Sequence, residues 1–445
     1  MKQLFSLMFA MGIAVVMNAQ TGTWYPFAAT PVNYQYVTMK SDKKGDFYIS
    51  ASLLGIGGKA YGGVARWNDT TWTNVGNLET NSSVFDMAFD SKGNLYACGD
   101  LRLKDASGNL LFMGVGKWDG KAWTSIAESI SPYPNTIAVS PTTGDVYVGG
   151  QFSNVESKAG TKYIAKWDGK VWAAATPNTL DDQVKQIEID KKGTVYIRGD
   201  FNNADNIVLN RVAVLNADKW KALDGGYKGN KNYPFSDMGF DSKDNFWVAG
   251  SFSSIGTKSI SYLAYWDGTA WNAPSVPAVG PVLSMSFGDK DLPYITVESF
   301  DVNLYSIENN AYTKIPNAPT KIRGLYFDTV KKRLYVSGTF DNPSDKLTYF
   351  QIKPNSAAKD LEEVAQLLVS PNPSSERLNV DFKTTLSTAT TLQVWSVSGS
   401  LMSTQVLESG TRTATLDVSA FATGSYILQF TNAKGEQFSS VFVKE

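Results

Sequence analysis

The sequence predicts an all-β chain, and three observations predict it. Short apolar runs are punctuated by 37 Gly and 17 Pro, aromatic residues reach 13%, and two aromatic-bearing motifs recur along most of the 445 residues. Strand-favouring residues between frequent turn formers build sheets rather than helices.

The first element is an address. Lys2 precedes an apolar run of 13 residues from Leu4 to Val16, and Asn18-Ala19 offers small residues for cleavage before Gln20. That run is too short to span a bilayer comfortably and has the build of an export signal over residues 1–19. No later segment has the length and apolarity of a transmembrane helix, so the mature chain is expected to be exported without a membrane span.

The repeat follows. Arg66-Trp-Asn-Asp-Thr-Thr-Trp72 recurs as Lys117-Trp-Asp-Gly-Lys-Ala-Trp123, Lys166-Trp-Asp-Gly-Lys-Val-Trp172 and Tyr265-Trp-Asp-Gly-Thr-Ala-Trp271, with weaker copies ending at Trp220 and Tyr312. Upstream of these copies lies a second motif, best seen in Phe89-Asp-Ser-Lys-Gly-Asn-Leu-Tyr-Ala-Cys-Gly99 and Ile189-Asp-Lys-Lys-Gly-Thr-Val-Tyr-Ile-Arg-Gly199. Together they outline four short strands per unit, read in the clearest copy as 84–90, 94–99, 113–118 and 121–126. Asp119-Gly120 is placed in a two-residue hairpin loop, which sets Gly116 opposite Trp123 and the two tryptophans on a diagonal. The second aromatic recurs every 41 to 51 residues, the spacing of a four-stranded propeller blade.

Six full units are followed by a three-stranded remnant, 322–352, that lacks its tryptophan strand. Trp24 precedes Trp72 by 48 residues, one period, so the N-terminal strand is expected to complete a seventh blade and remove the open sheet edge. The prediction is a seven-bladed β-propeller over residues 20–353. A linker over 354–366 and a small Ig-like β-sandwich over 367–445 complete the chain. Sandwich strands are expected at 378–382, 392–396, 413–418, 426–431 and 438–443.

Composition excludes several chemistries. There is no histidine, so Ser–His–Asp or Cys–His catalysis and His-ligated metal sites are impossible. Cys98 is alone, so no internal disulfide forms, and its strand position reads as a packed thiol. Charges nearly cancel, 41 basic against 42 acidic, without a basic tract, which argues against nucleic acid as a partner. The recurring tryptophans read as packing between blades, and the Asp of each first hairpin (Asp90, Asp190, Asp241, Asp328) as a turn former rather than a calcium ligand. No catalytic residue and no cofactor is expected.

Alternating strand direction puts the uniform turns on one face and the variable connections on the other: 53–63, 101–112, 152–163, 223–233 and 252–262. Variable loops on a rigid scaffold are where binding concentrates. Within them Tyr227, Asn230, Asn232 and Tyr233 suit a sugar or peptide, as stacking and hydrogen-bonding groups. The reading is therefore a non-catalytic binding module for a glycan or protein ligand. The alternatives are a polysaccharide-active enzyme using loop-face carboxylates such as Asp181, Asp182 and Asp205, or a component of a secretion or motility apparatus.

Tyr147-Val-Gly-Gly-Gln-Phe152 with Ala165-Lys-Trp-Asp-Gly-Lys-Val-Trp172 resembles the repeats of Rax2-like and kelch-like bacterial propellers, which implies fold more than activity. The C-terminal segment contains Leu368-Val-Ser-Pro-Asn-Pro-Ser, Val394-Trp-Ser-Val-Ser-Gly399, Gly424-Ser-Tyr426 and the ending Val441-Phe-Val-Lys-Glu445. It resembles the type A sorting domain of type IX secretion substrates, with motif positions at Pro371, Asn372, Pro373, Gly399, Gly424, Tyr426 and Lys444. It departs at Ser370, where an aromatic is usual, and in the Glu445 that follows Lys444. The resemblance implies Sec export, passage through the outer membrane of a Gram-negative bacterium, and the type IX translocon and shuttle proteins as partners. It also implies a secreted or cell-surface destination.

Overall fold

The computed structural model describes residues 22–27, 31–32, 38–52, 54–105, 107–127, 129–227, 235–298, 303–308, 311–338, 340, 347–352, 368–382, 385–386, 389–396, 400–431 and 437–445. The export signal and the 354–366 linker lie outside them. The chain divides into two compact units, 1–353 and 354–445.

Among the described residues the first unit holds seven four-stranded antiparallel sheets, six paired in chain order and the seventh joined by the N-terminal strand. Their inner strands are Thr38–Ser41, Ser83–Phe89, Thr136–Val139, Val184–Ile189, Phe235–Phe240, Val282–Phe287 and Ile322–Asp328. Each lies beside the next in chain order, and the seventh lies beside the first, so the sheets close a ring. Closure is completed by Gly22–Pro26, which pairs with Leu347–Ile352 and sets Trp24 opposite Phe350. Phe27, just beyond, packs on Phe47 and Trp67 of the first blade and on Tyr335 and Tyr349 of the seventh, with ring centroids 5.4 to 6.2 Å apart. Asp69 at the rim of the first blade pairs with Lys331 at 2.7 Å and with Arg333.

The repeated residues have two jobs, turning the chain and joining blades. In the first hairpins Asp90, Asp190 and Asp241 each accept two backbone amides through Oδ1, and Asp328 does the same for Val330 and Lys331. In the second hairpins Asn68, Asp119, Asp168 and Asp267 do likewise. These are turn-forming carboxylates and amides, as their sequence context predicts. The hairpin itself differs from expectation: Trp118 sits directly opposite Trp123 across a four-residue loop, and Gly116 faces Ser125. Side-chain capping by Asp119 stabilises the longer loop, with Gly120 alone at φ +95°.

Joining blades falls to the outer strand. Trp123 Nε1 donates to the Val75 carbonyl of the preceding blade at 2.8 Å, Trp271 to Leu223 at 3.0 Å and Trp24 to Pro316 at 2.8 Å; Trp172 donates to Ile126. Tyr312, the tyrosine in the series, donates to Val276 at 3.3 Å. Trp123, Trp172, Trp220 and Trp271 are all buried. Each such indole removes ~200 Å² from water, about 5 kcal/mol of transfer energy before entropy. A second series, Tyr48, Tyr96, Tyr147, Tyr196, Trp247, Tyr294 and Tyr335, is buried one per blade on the second strand.

On the other face the connections are less loop-like than expected. Residues 101–112 are mostly paired strand, an extension of the hairpin between Leu95–Lys104 and Leu110–Trp118. Phe152, Phe201 and Phe252 plug the connections of three blades and are fully buried.

The second unit is two sheets around one core. Leu368–Ser370, Arg377–Asp381 and Thr413–Asp417 form one sheet, while Leu401–Leu407, Thr390–Ser396, Gly424–Thr431 and Gln437–Lys444 form the other. Leu378, Val380 and Leu416 from the first meet Leu392, Val394, Leu428 and Phe430 from the second. The 401–407 strand was not expected, because Leu401, Met402 and Val406 are exposed at the sheet edge while the more covered positions 403 and 405 hold Ser and Gln, so the sequence lacks the apolar alternation that marks a strand.

Candidate functional site

The inner strands enclose an axial cavity of 1260 Å³. A β-bulge in five of the seven inner strands shapes it. The register slips at Phe85, Lys185, Ser236, Leu283 and Arg323, and all five of these extra residues line the cavity. A bulge re-aims one side chain and bends the strand, here at one mouth of the channel. It also explains the glycine that closes the second-strand motif. A Cβ at Gly99 would lie 2.1 Å from the Ser83 carbonyl oxygen, one at Gly199 2.1 Å from that of Gln183, and one at Gly338 2.4 Å from that of Lys321.

Next to the bulge the register aligns one residue from each blade: Thr38, Asp86, Thr136, Gln186, Asp237, Ser284 and Gly324. These side chains fasten each inner strand to the next. Thr38 Oγ1 donates to the Phe85 carbonyl at 3.2 Å. Asp86 Oδ2 accepts the Ile137 amide at 3.0 Å, and Thr136 Oγ1 accepts the Ile187 amide at 3.2 Å. Gln186 Nε2 donates to the Met238 carbonyl at 2.9 Å. Asp237 Oδ2 accepts the Met285 amide at 2.9 Å, and Ser284 Oγ the Leu325 amide at 3.2 Å. The seventh step has only Gly324, and Tyr326 takes over there, its hydroxyl accepting the Ser41 amide at 2.8 Å. The tier is a polar girdle, and its members are engaged in holding strands. Arg198 belongs to it: Nε donates to Gln186 Oε1 at 2.8 Å and the guanidinium also donates to the Phe235 and Ser236 carbonyls.

The parallel tier two residues on is different: Lys40, Ala88, Ala138, Glu188, Gly239, Ser286 and Tyr326. Ala88, Ala138 and Gly239 leave it open, and nothing lies within 4 Å of a Cβ placed on Gly239. Its two charges stand three blades apart. Glu188 accepts one hydrogen bond, from Gln186 at 3.1 Å, while the Lys40 ammonium makes no hydrogen bond or ion pair to a described residue. Burial pushes the Glu188 carboxyl up to about 7, with Lys40 opposing that rise. Burial works against the Lys40 charge, but Glu188, Asp86 and Asp237 outweigh it and raise its pKa. Burial also raises Asp86 against the pull of Lys40 and of the Ile137 and Met87 amides, and it lowers Arg198.

None of these axial residues was singled out by sequence. Of the expected loop residues, Asn230, Asn232 and Tyr233 lie outside the described residues. Tyr227 is 5% exposed, its ring edge-on to Phe235 at 5.8 Å, so it forms core rather than an accessible platform. The loop-face carboxylates are engaged locally: Asp181 accepts the Asn202 and Asn203 amides, Asp182 the Gln183 amide, and Asp205 the Asn178 side chain and the Thr179 amide. Cys98 is fully buried, and burial pushes its thiol well up, which makes it unreactive. Among the described residues no group of three or more His, Cys, Asp or Glu is placed to hold a metal ion.

In the second unit the motif residues join its two ends. Asn372, between Pro371 and Pro373, accepts the Val443 amide through Oδ1 at 2.9 Å, and the Ser374 amide donates to the Val443 carbonyl at 2.8 Å. Lys444 is 7% exposed against this turn. Tyr426 donates to the Ala422 carbonyl at 2.8 Å and stacks on Phe442 at 5.5 Å, in the strand that Gly424 opens. Gly399 lies outside the described residues.

Comparisons with known proteins agree with both units. Residues 368–444 match the family described as secretion system C-terminal sorting domain, and residues 132–282 match the Rax2 C-terminal beta propeller domain. No curated protein matches the chain. Among solved structures it is similar to the extracellular domain of the one component system BT4673 from B. thetaiotaomicron. The two are 11% identical with a TM-score of 0.48, covering 96% of this chain and 57% of that one. YCF48 bound to D1 peptide is 8% identical over 74% of this chain and 97% of its own, TM-score 0.46. A gluconolactonase from Xanthomonas campestris is 9% identical over 74% and 99%, TM-score 0.37. The chain thus bears a type IX sorting domain behind a β-propeller, and it is a secreted or cell-surface protein.

Proposed function

We propose that the protein is a non-catalytic binding module, exported through its C-terminal domain, whose ligand enters the axial cavity of the propeller. The observation that supports this is the division of labour between the two axial tiers. One is fully engaged in fastening inner strands, while the other keeps a free ammonium and an underused carboxylate beside open volume. Polar groups converging on a concave site are the ordinary marks of small-molecule binding.

A catalytic reading has one observation in its favour: Glu188, with a pKa near 7, is suited to general-acid work. The propeller scaffold itself accommodates either role. Incubating the full chain with a glycan array and with a pool of small metabolites, then analysing any hit for product, separates the two. Binding without turnover, abolished by filling the cavity with Gly239→Phe, is the expected result. Product formation that depends on Glu188 would replace binding by catalysis, and ligand retention unchanged by Gly239→Phe would remove the cavity as the site.

A further inference from the structure

We propose that the axial cavity takes a small zwitterion of the amino-acid or short-peptide class, its carboxylate meeting Lys40 and its ammonium meeting Glu188. This rests on the reading of the cavity as the binding site and names what that site recognises.

The argument begins from charge accounting along the axis. Asp86 accepts hydrogen bonds from Thr136 Oγ1 and from the Ile137 and Met87 amides. Asp237 accepts from Ser284 Oγ, from the Met238 and Met285 amides and from Gln186. Arg198 is engaged at all three of its nitrogens, by Gln186 and two carbonyls. Of the other basic residues at the wall, Lys185 pairs with Asp200 at 2.9 Å. Arg323, at the bulge of the seventh blade, also lines the wall but is exposed and keeps its charge in solvent. Within the half-buried tier, Lys40 and Glu188 remain, one of each sign, with unused hydrogen-bonding capacity.

These two sense one another across the lumen. Each is the other's strongest charge partner, yet they form no direct ion pair. They belong to the first and fourth blades of seven, with only Ala88 and Ala138 between them on the shorter arc of the ring. A half-buried ammonium and a half-buried carboxylate held apart in low dielectric are stabilised most by a guest that brings the complementary charges. An anion alone would leave Glu188 unmatched and worsen its desolvation, and a cation alone would do the same to Lys40. A neutral sugar would match neither charge. A guest carrying both groups satisfies both walls and adds no net charge to the axis. Ser286, in the same tier, adds a hydroxyl, although its Oγ already accepts the Phe327 amide at 2.9 Å.

The test uses the full chain and ligand-observed NMR with an equimolar pool of free amino acids and dipeptides. Two matched pools carry the controls, one N-acetylated and one C-amidated. Binding is expected from the free pool, weakened about tenfold in each blocked pool, the size of one charge-assisted hydrogen bond lost from a buried site. Lys40→Gln is expected to erase the difference between free and amidated ligands, and Glu188→Gln that between free and acetylated ones. Equal binding of blocked and free forms would overturn the proposal, as would saturable binding of neutral saccharides that Gly239→Phe abolishes. The latter result would leave the cavity as the site. Absence of any saturable ligand, with melting temperatures of Gly239→Phe and wild type shifting alike, would remove both readings. Should Lys40→Gln not fold, the comparison of the three pools on the wild-type chain decides alone.

Discussion

Glu188 illustrates how far one residue's surroundings set its chemistry. Its folded pKa of about 7 lies above the value of 4.5 for the free side chain, because burial outweighs the attraction of Lys40. The folded state therefore holds a proton that the unfolded state releases between those values. The contribution of Glu188 to stability is full below the lower value and is lost as pH rises through about 7, by up to roughly 3 kcal/mol. Glu188→Gln is expected to flatten that decline, with Lys40, Asp86, Asp237 and Arg198 as the other charges facing it. Melting curves from pH 5 to 8 check this, and parallel profiles for variant and wild type would contradict it. The tryptophans permit a finer comparison. Trp220 Nε1 is buried without an acceptor, whereas Trp123 and Trp271 donate across the blade joint. Trp→Phe at 123 or 271 is expected to cost about 1 kcal/mol more than at 220, measured by denaturant unfolding. The turn carboxylates were legible in the sequence, since each depends on residues within a few positions, and the tryptophans were legible because the partner of each lies one repeat away. Lys40, Asp86, Glu188 and Asp237 were not, because each acquires meaning only beside residues of other blades, about 50 positions away for Asp86 and Asp237 and about 150 for the Lys40–Glu188 pair. A charge inside an apolar strand, as in Ile187-Glu-Ile189, was the available signal.

At the scale of elements, the blade was readable because its motif names its own turns. The hairpin register was misjudged for a physical reason: Asp-Gly favours a two-residue loop in isolation, but the Asp side chain caps a four-residue loop that lets the flanking indoles face each other. The bulge was illegible, since it shows only as a glycine at the end of the next strand. Gly199→Ala is expected to destabilise by about 3 kcal/mol or more, because the added methyl meets the Gln183 carbonyl rather than a side chain that can turn away. A Gly239→Ala control, where the same methyl meets nothing, is expected to shift the midpoint little. Similar midpoints for the two variants would contradict the assignment of the bulge. The edge strand 401–407 escaped notice because an exposed strand with Leu401 and Val406 outward gives no alternation to follow.

For the molecule as a whole, the two units divide fold from destination. Removing 367–445 is expected to leave a folded propeller inside the cell envelope, detected by fractionation and protease accessibility; normal surface delivery of the truncated chain would contradict the role of the sorting domain. Removing 22–27 is expected to convert one cooperative melt into a broad one and to produce oligomers on size exclusion, because the 347–352 strand would then present an unpaired edge. The joint between those two strands carries a kinetic consequence. It links segments some 325 positions apart, so its contact order is as high as the propeller allows and its formation is a late event. A chain delivered from its N-terminus must keep its first strand unmatched until residue 352 arrives. For that interval the leading end is a sticky ribbon seeking any partner, and a holdase guarding it would determine yield more than the stability of the finished ring.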